Sequence, residues 1–318
     1  RRSVRPSHRD VRWRWLDADL TSRASIAGDP CEARWTSRAS IAGDPCEARW
    51  TSRDSIAGDL CEARWAGPGL GVDACLEIAP AAIIHCAAQA NANEVERQPT
   101  RSARINVDVP RRLARAAARH GIRFIHVSTD LVFDGAAAPY AEDAVTCPLS
   151  EYGRQKEAAE RAVLASGGVV CRLPLLLGAK PCDSDPPHPQ WQPAGALEWM
   201  LRSCETGASL FVDEHRSPLT TLTAARGLLL AVEHGSGVWH LAGERISRWD
   251  LGLLVASVWN RAPDKLERVR HQDLQLAAPR PADVTLTSAV ATAAGFHAAG
   301  LREQLEELKT LRVSSPDR

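Results

Sequence analysis

From Ala79 onward, short apolar runs alternate with segments whose apolar residues recur at helical spacing, the pattern that a parallel α/β sheet produces. Residues 82–88 (AIIHCAA) predict a buried strand. Residues 104–120 carry Ile105, Leu113, Ala116 and Ala117 at helical spacing and run into Gly121, where a left-handed helix end is easiest. Residues 123–128 (RFIHVS) predict the next strand, 152–165 a helix, and 169–173 a third strand that Pro174 stops. The run reads β-α-β-α-β.

Beyond Pro181 the chain turns Pro- and Trp-rich (PCDSDPPHPQWQP), then predicts a helix over 196–204, a returning strand over 238–241 (VWHL) and a closing helix over 301–311. The shift implies a smaller domain at the carboxyl edge of the sheet. The expected organisation is an N-terminal segment over 1–66, a Rossmann-like domain over 67–180 and a substrate domain over 181–318.

The front of the chain follows another rule. Residues 21–35 read TSRASIAGDPCEARW, 36–50 repeat this without change, and 51–65 differ only at Asp54 and Leu60. Solenoid repeats let surface positions drift, whereas these are copied whole, so recent duplication and a surface insertion are the expectation. The chain begins at Arg1 and its only methionine is Met200, so a fragment, a processed chain or an imperfect gene model is the expectation, with anything missing at the front.

Composition narrows the function classes. Lys+Arg and Asp+Glu both total 39, so no net field gathers nucleic acid or an anionic membrane. No stretch approaches the roughly eighteen apolar residues that a membrane span needs, and the start lacks the apolar core of a secretory signal, so the cytoplasm is the expected location. The nine cysteines include three repeat copies and form no C-x-x-C, and the ten histidines show no paired ligand spacing. No metal site is expected.

The chemistry concentrates at two places. Ser128, Thr129 and Asp130 fall at a predicted strand end, and Tyr152 and Lys156 fall one turn apart on one face of a predicted helix. An ammonium there can stabilise phenolate and lower the tyrosine's pKa, making it a usable acid/base, while Thr129 bonds the same substrate oxygen. With 2 tyrosines and four lysines in the chain, this spacing rarely arises by chance.

The pieces IIHCAAQANANEVERQP, ARINVDVPRRLARAA, FIHVSTDLVFDG, APYAEDAVTCPLSEYGRQKEAAERAVL and VCRLPLLLG carry a resemblance. They resemble the extended short-chain dehydrogenase/reductases, most closely the dTDP-4-dehydrorhamnose reductase group and its relative, the regulatory subunit of methionine adenosyltransferase. HRSPLT, GVWHLAG and RPADVTL resemble that group's substrate-domain segments. The resemblance implies a Rossmann-like sheet with a small substrate domain and NADPH- or NADH-dependent reduction of a nucleotide-linked 4-keto-deoxysugar, as in dTDP-rhamnose formation. It makes Tyr152 the acid/base, Lys156 its partner and a ligand of the nicotinamide ribose, and Thr129 the substrate-orienting hydroxyl. Ala87 and Ala88 would line the cofactor channel, Leu173 and Pro174 would touch the nicotinamide, and Asn106 would lie near the active centre. Asp19 and Leu20 resemble the pair that reads adenine, with a turn or helix cap as the other reading of Asp19. Asp130 and Phe133 would line the substrate pocket, and Arg216 is either a contact to an anionic substrate or a solvated arginine. Two copies forming a homodimer would be compatible with the group.

Two departures stand out. The group's opening strand and G-x-x-G-x-x-G phosphate loop do not appear, and Gly67-Pro-Gly69-Leu-Gly71 follows the repeats rather than a strand, with Pro68 removing an amide donor. Impaired turnover, or a non-catalytic regulatory role, is the expectation that follows. Leu131 stands where many of the group place tyrosine, so the sugar is not specified.

Overall fold

The computed structural model describes residues 14–18, 35–39, 80–178, 195–274 and 280–313. The chain divides into two compact units, Arg1–Ala79 and Pro80–Arg318. In the first, strands Arg14–Ala18 and Trp35–Ala39 pair antiparallel, with Arg14 opposite Ala39 and Ala18 opposite Trp35. Asp19, Leu20, the rest of the repeats, residues 67–71 and the Pro- and Trp-rich stretch after Pro181 lie outside the described residues.

The second unit is built on four parallel strands, β1 (Ala82–His85), β2 (Arg123–Thr129), β3 (Val169–Leu173) and β4 (Val238–His240), in the spatial order β4-β3-β2-β1. Parallel neighbours cannot be joined by tight turns, so helices carry the chain back. Helix α1 (Val109–Arg119) joins β1 to β2, α2 (Glu151–Leu164) joins β2 to β3, and α3 (Thr221–His234) leads into β4. The four strands, α1 and α2 fall where the sequence pattern expects them, although β1 ends at His85 rather than 88; α3 is not among the expected elements, and Gly121 closes α1 at φ +66° as its position predicts. No described helix is long and apolar enough to cross a membrane.

The helical pattern starting at residue 104 is not uniform. Residues Arg104–Asp108 form a π-helical turn, with the Val109 N–H bonding the carbonyl of Arg104. Pro110 has no N–H to give the carbonyl of Asn106 and its ring crowds that oxygen, so the ladder widens before α1 begins.

Alternation along the strands sorts the two faces of the sheet. One face carries Ile125 of β2, Val169, Cys171 and Leu173 of β3 and Trp239 of β4, packed with Leu228 and Ala231 of α3 into one apolar core. The other face lies under α2 and is polar. Its buried polar members are His85 of β1, His126 and Ser128 of β2, Arg172 of β3 and His240 of β4, facing Lys156 and Glu160 of α2, with Phe124 and Val170 buried on the same face. The residues after β3 and β4 build a second core from Leu177, Leu197, Met200, Leu251, Val255, Leu301 and Leu305.

Candidate functional site

The site lies where β2 ends and α2 begins. Thr129 is the last residue of β2 and caps a single 3-10 turn, Asp130–Val132; its hydroxyl accepts from the Leu131 N–H at 3.2 Å and donates to Asp130 Oδ1 at 3.1 Å. Helix α2 starts at Glu151 because Ser150 supplies the cap, accepting the Gly153 N–H at 3.1 Å. Tyr152 and Lys156 then follow one turn apart, both buried. Gly153 allows the first turn of α2 to press on the turn after β2. A Cβ there would run into the Leu131 carbonyl oxygen and lie 2.8 Å from Pro148 Cβ. Gly153→Ala is therefore expected to lower stability in thermal denaturation by about 1–3 kcal/mol, the usual range for overpacking.

Electrostatics at the site depart from the sequence expectation. Burial first, and the Asp130 carboxylate second, push the Tyr152 phenol above its usual range. The expected lowering by Lys156 is not what the structure shows, because the ammonium is turned elsewhere. Lys156 Nζ donates to the Val127 carbonyl at 2.6 Å and lies 3.1 Å from His126 Nε2. Burial pulls Lys156 down to about 8, with Glu160 and Cys86 opposing. Tyr152 is a protonated phenol at neutral pH, as an unperturbed tyrosine is, and the upward shift makes it a weaker acid than one. Burial pushes the neighbouring Asp130 up to about 6, with Arg216 opposing.

The other sequence candidates are distributed around this centre. Asn106 sits in the π-helical turn; its Oδ1 accepts from the Gln89 N–H at 2.8 Å and its Nδ2 donates to the Gln89 carbonyl at 3.1 Å and to Gln155 Oε1 at 2.9 Å. It thus ties the segment after β1 to α2. Half-buried Ala87 and Ala88 lie in that segment, and buried Leu173 and Pro174 end β3.

Two candidates are placed differently from the expectation. Phe133 is fully buried, stacked on Tyr140 at 4.1 Å with the Arg172 guanidinium 5.1 Å from its ring, so it is core rather than pocket wall. Arg216 is not a solvated arginine. It is buried, pairs with Glu214 at 3.1 Å and faces Asp130 at 3.9 Å, and it donates to the carbonyls of His215 and Pro281. A lone buried guanidinium needs carboxylates and carbonyls of this kind.

Five polar residues of the α2 face escaped sequence reasoning: His85, His126, Glu160, Arg172 and His240. Their trace in the sequence is a shared phase. His85, His126, Arg172 and His240 are register partners along neighbouring strands, His85 opposite His126 and Arg172 opposite His240.

Residues 71–312 match the model of the RmlD substrate binding domain. The chain belongs to this family. Two relatives carry different descriptions. The methionine adenosyltransferase 2 subunit beta of Xenopus laevis is 31% identical over 211 residues, which cover 64% of this chain and 61% of that protein. A dTDP-4-keto-6-deoxy-D-glucose reductase of Streptomyces niveus is 31% identical over 198 residues, 60% of this chain and 65% of that protein. The chain thus spans less than two thirds of the length of these relatives. Among solved structures, the dTDP-4-dehydrorhamnose reductase of Bacillus anthracis in complex with NADP shares the fold, with a TM-score of 0.67 at 22% identity over 77% of this chain and 84% of that one. This RmlD-family chain therefore carries the α/β architecture of sugar-nucleotide reductases.

Proposed function

We propose that the chain carries out reductase chemistry on the 4-keto group of a nucleotide-linked deoxysugar. The observation that carries the reading is the placement of Tyr152 one turn before Lys156, at a helix start packed against the strand end that bears Thr129. Ligands of open α/β sheets bind beyond the carboxyl ends of the strands, which is where this group stands. Bound NADPH or NADH would supply the hydride. Thr129 orients the substrate oxygen, Tyr152 protonates it, and Lys156 supplies positive charge to the nicotinamide ribose. Ala87, Ala88, Asn106, Leu173 and Pro174 stand on the cofactor side and Asp130 on the sugar side. Phe133 and Arg216 support the pocket from behind, since both side chains are packed inside.

A second reading has its own support. The sequence contains no G-x-x-G-x-x-G loop after a strand, and the beta subunit of methionine adenosyltransferase 2 from Pongo abelii is 43% identical over 101 residues. On this reading the fold serves binding, with a methionine adenosyltransferase catalytic subunit as partner. One pair of assays separates the two. Reductase function is expected to show as consumption of excess NADPH that depends on a dTDP-linked 4-keto-6-deoxysugar. Co-elution with the catalytic subunit, without sugar-dependent NADPH consumption, would replace it with the regulatory reading.

A further inference from the structure

Lys156 does not stand alone on the polar face of the sheet. The register of β1 and β2 sets His85 opposite His126, and the two rings stack with centroids 5.3 Å apart and planes at 23°. Their Nδ1 atoms are 3.2 Å apart, and His126 Nε2 lies 3.1 Å from Lys156 Nζ. These contacts form a buried line from the helix, through one ring, into the other.

We propose that His126, with His85 behind it, is the positioning residue that aims the Lys156 ammonium. The inference rests on the reading of Lys156 as part of a reductase site, and it follows from counting protons. An ammonium only donates, so His126 Nε2 must accept and its proton must sit on Nδ1. His85 Nδ1 then accepts in turn, which leaves the His85 proton on Nε2. That nitrogen is buried without a hydrogen-bond partner. The tautomer of each ring is therefore fixed, and both rings must be neutral. Burial first, and Lys156 second, hold His85 at about 3 and His126 well below the usual imidazole range.

The arrangement has a consequence for Lys156. Of its three N–H donors, one goes to the Val127 carbonyl and one to His126, which leaves a third that neither contact uses. A carboxylate at position 126 would cancel the positive charge; an imidazole holds the ammonium and leaves the charge in place. The other ionisable groups around this point are few. Tyr152 and Glu160 share its helix, Cys86 follows β1, and Arg172 of β3 is bonded to Glu160. Helix α1 buries only Val109, Pro110, Leu113, Ala114, Ala116 and Ala117.

Nuclear magnetic resonance on the full chain tests this without needing turnover. The chain has four lysines, so labelled lysine side chains give few resonances to assign. In the wild type Lys156 is expected to titrate near 8. His126→Phe removes an acceptor from the charged form and is expected to move that midpoint down by about one pH unit. His126→Gln keeps an acceptor and is expected to hold the midpoint near the wild-type value. Ring nitrogen shifts in the wild type are expected to show His126 protonated on Nδ1 and His85 on Nε2, a result that needs no variant to fold. An unmoved midpoint in His126→Phe, or a proton on His126 Nε2, overturns the proposal. A wild-type chain that shows the expected tautomers and titration but no sugar reduction overturns the reductase reading and keeps this one.

Discussion

Replacing Tyr152 with phenylalanine is expected to lower turnover on a dTDP-linked 4-keto-6-deoxysugar by about two to four orders of magnitude, the usual contribution of a positioned general acid. NADPH affinity is expected to stay within about twofold in the same variant, because the change removes a proton donor and leaves the shape of α2 alone. Burial and Asp130 push the phenol above its usual range, so it is protonated at neutral pH as an ordinary tyrosine is. Steady-state kinetics with cofactor and sugar varied separately would read the two constants. A loss confined to KM would assign Tyr152 to binding instead.

The second large effect is on stability. Glu160 and Arg172 are both buried, and Arg172 donates to the carboxylate through Nε at 3.1 Å and Nη2 at 2.8 Å. The Ser128 hydroxyl adds a short hydrogen bond to the same carboxylate, and Arg172 Nη1 lies 3.2 Å from His240 Nε2. His240 Nδ1 lies 3.1 Å from the Thr287 carbonyl, which can only accept, so Nε2 is free to accept from the arginine. Arg172→Met removes the counter-charge and leaves a carboxylate in a space closed to water. The expected cost is about 3–5 kcal/mol in denaturant unfolding, the range for breaking a buried pair at one end. Arg172→Met combined with Glu160→Leu is expected to be less destabilised than the single Arg172 variant, because the unpaired charge goes with its partner. A single variant within about 1 kcal/mol of wild type would mean that water reaches Glu160.

Much of this architecture was legible before any coordinates. The apolar runs around Ile84, Ile125 and Val170 marked three strands, and their order with intervening helical spacing implied a parallel sheet. Tyr152 and Lys156 were legible because the helix period makes one-turn neighbours visible in a string of letters. The direction of Lys156 was not. Its partner His126 lies on another element, and nothing in local spacing says which face of a strand meets which helix. The same limit hid the Ser128, Glu160, Arg172 and His240 network, since strands buried on both faces read as nearly uniform apolar runs. Arg216 shows the converse. Its charge suggested solvent or an anionic ligand, but Glu214 and Asp130, brought together only by the fold, already satisfy it. The sequence pattern over 104–120 read as one helix and missed the π-helical turn before Val109, where Pro110 has no N–H to continue the ladder at Asn106.

The central claim is that Thr129, Tyr152 and Lys156 form a working reductase site, and hydride transfer itself tests it most directly. The chain would be mixed with NADPH carrying deuterium at the transferable position of its nicotinamide, in large excess, together with a dTDP-linked 4-keto-6-deoxysugar, and the sugar analysed by mass spectrometry and nuclear magnetic resonance. The expected result is deuterium at C4 of the sugar with wild type and a loss of at least about a hundredfold in its rate with Tyr152→Phe. No deuterium at C4 with the folded wild-type chain, or equal incorporation by wild type and Tyr152→Phe, would contradict the account.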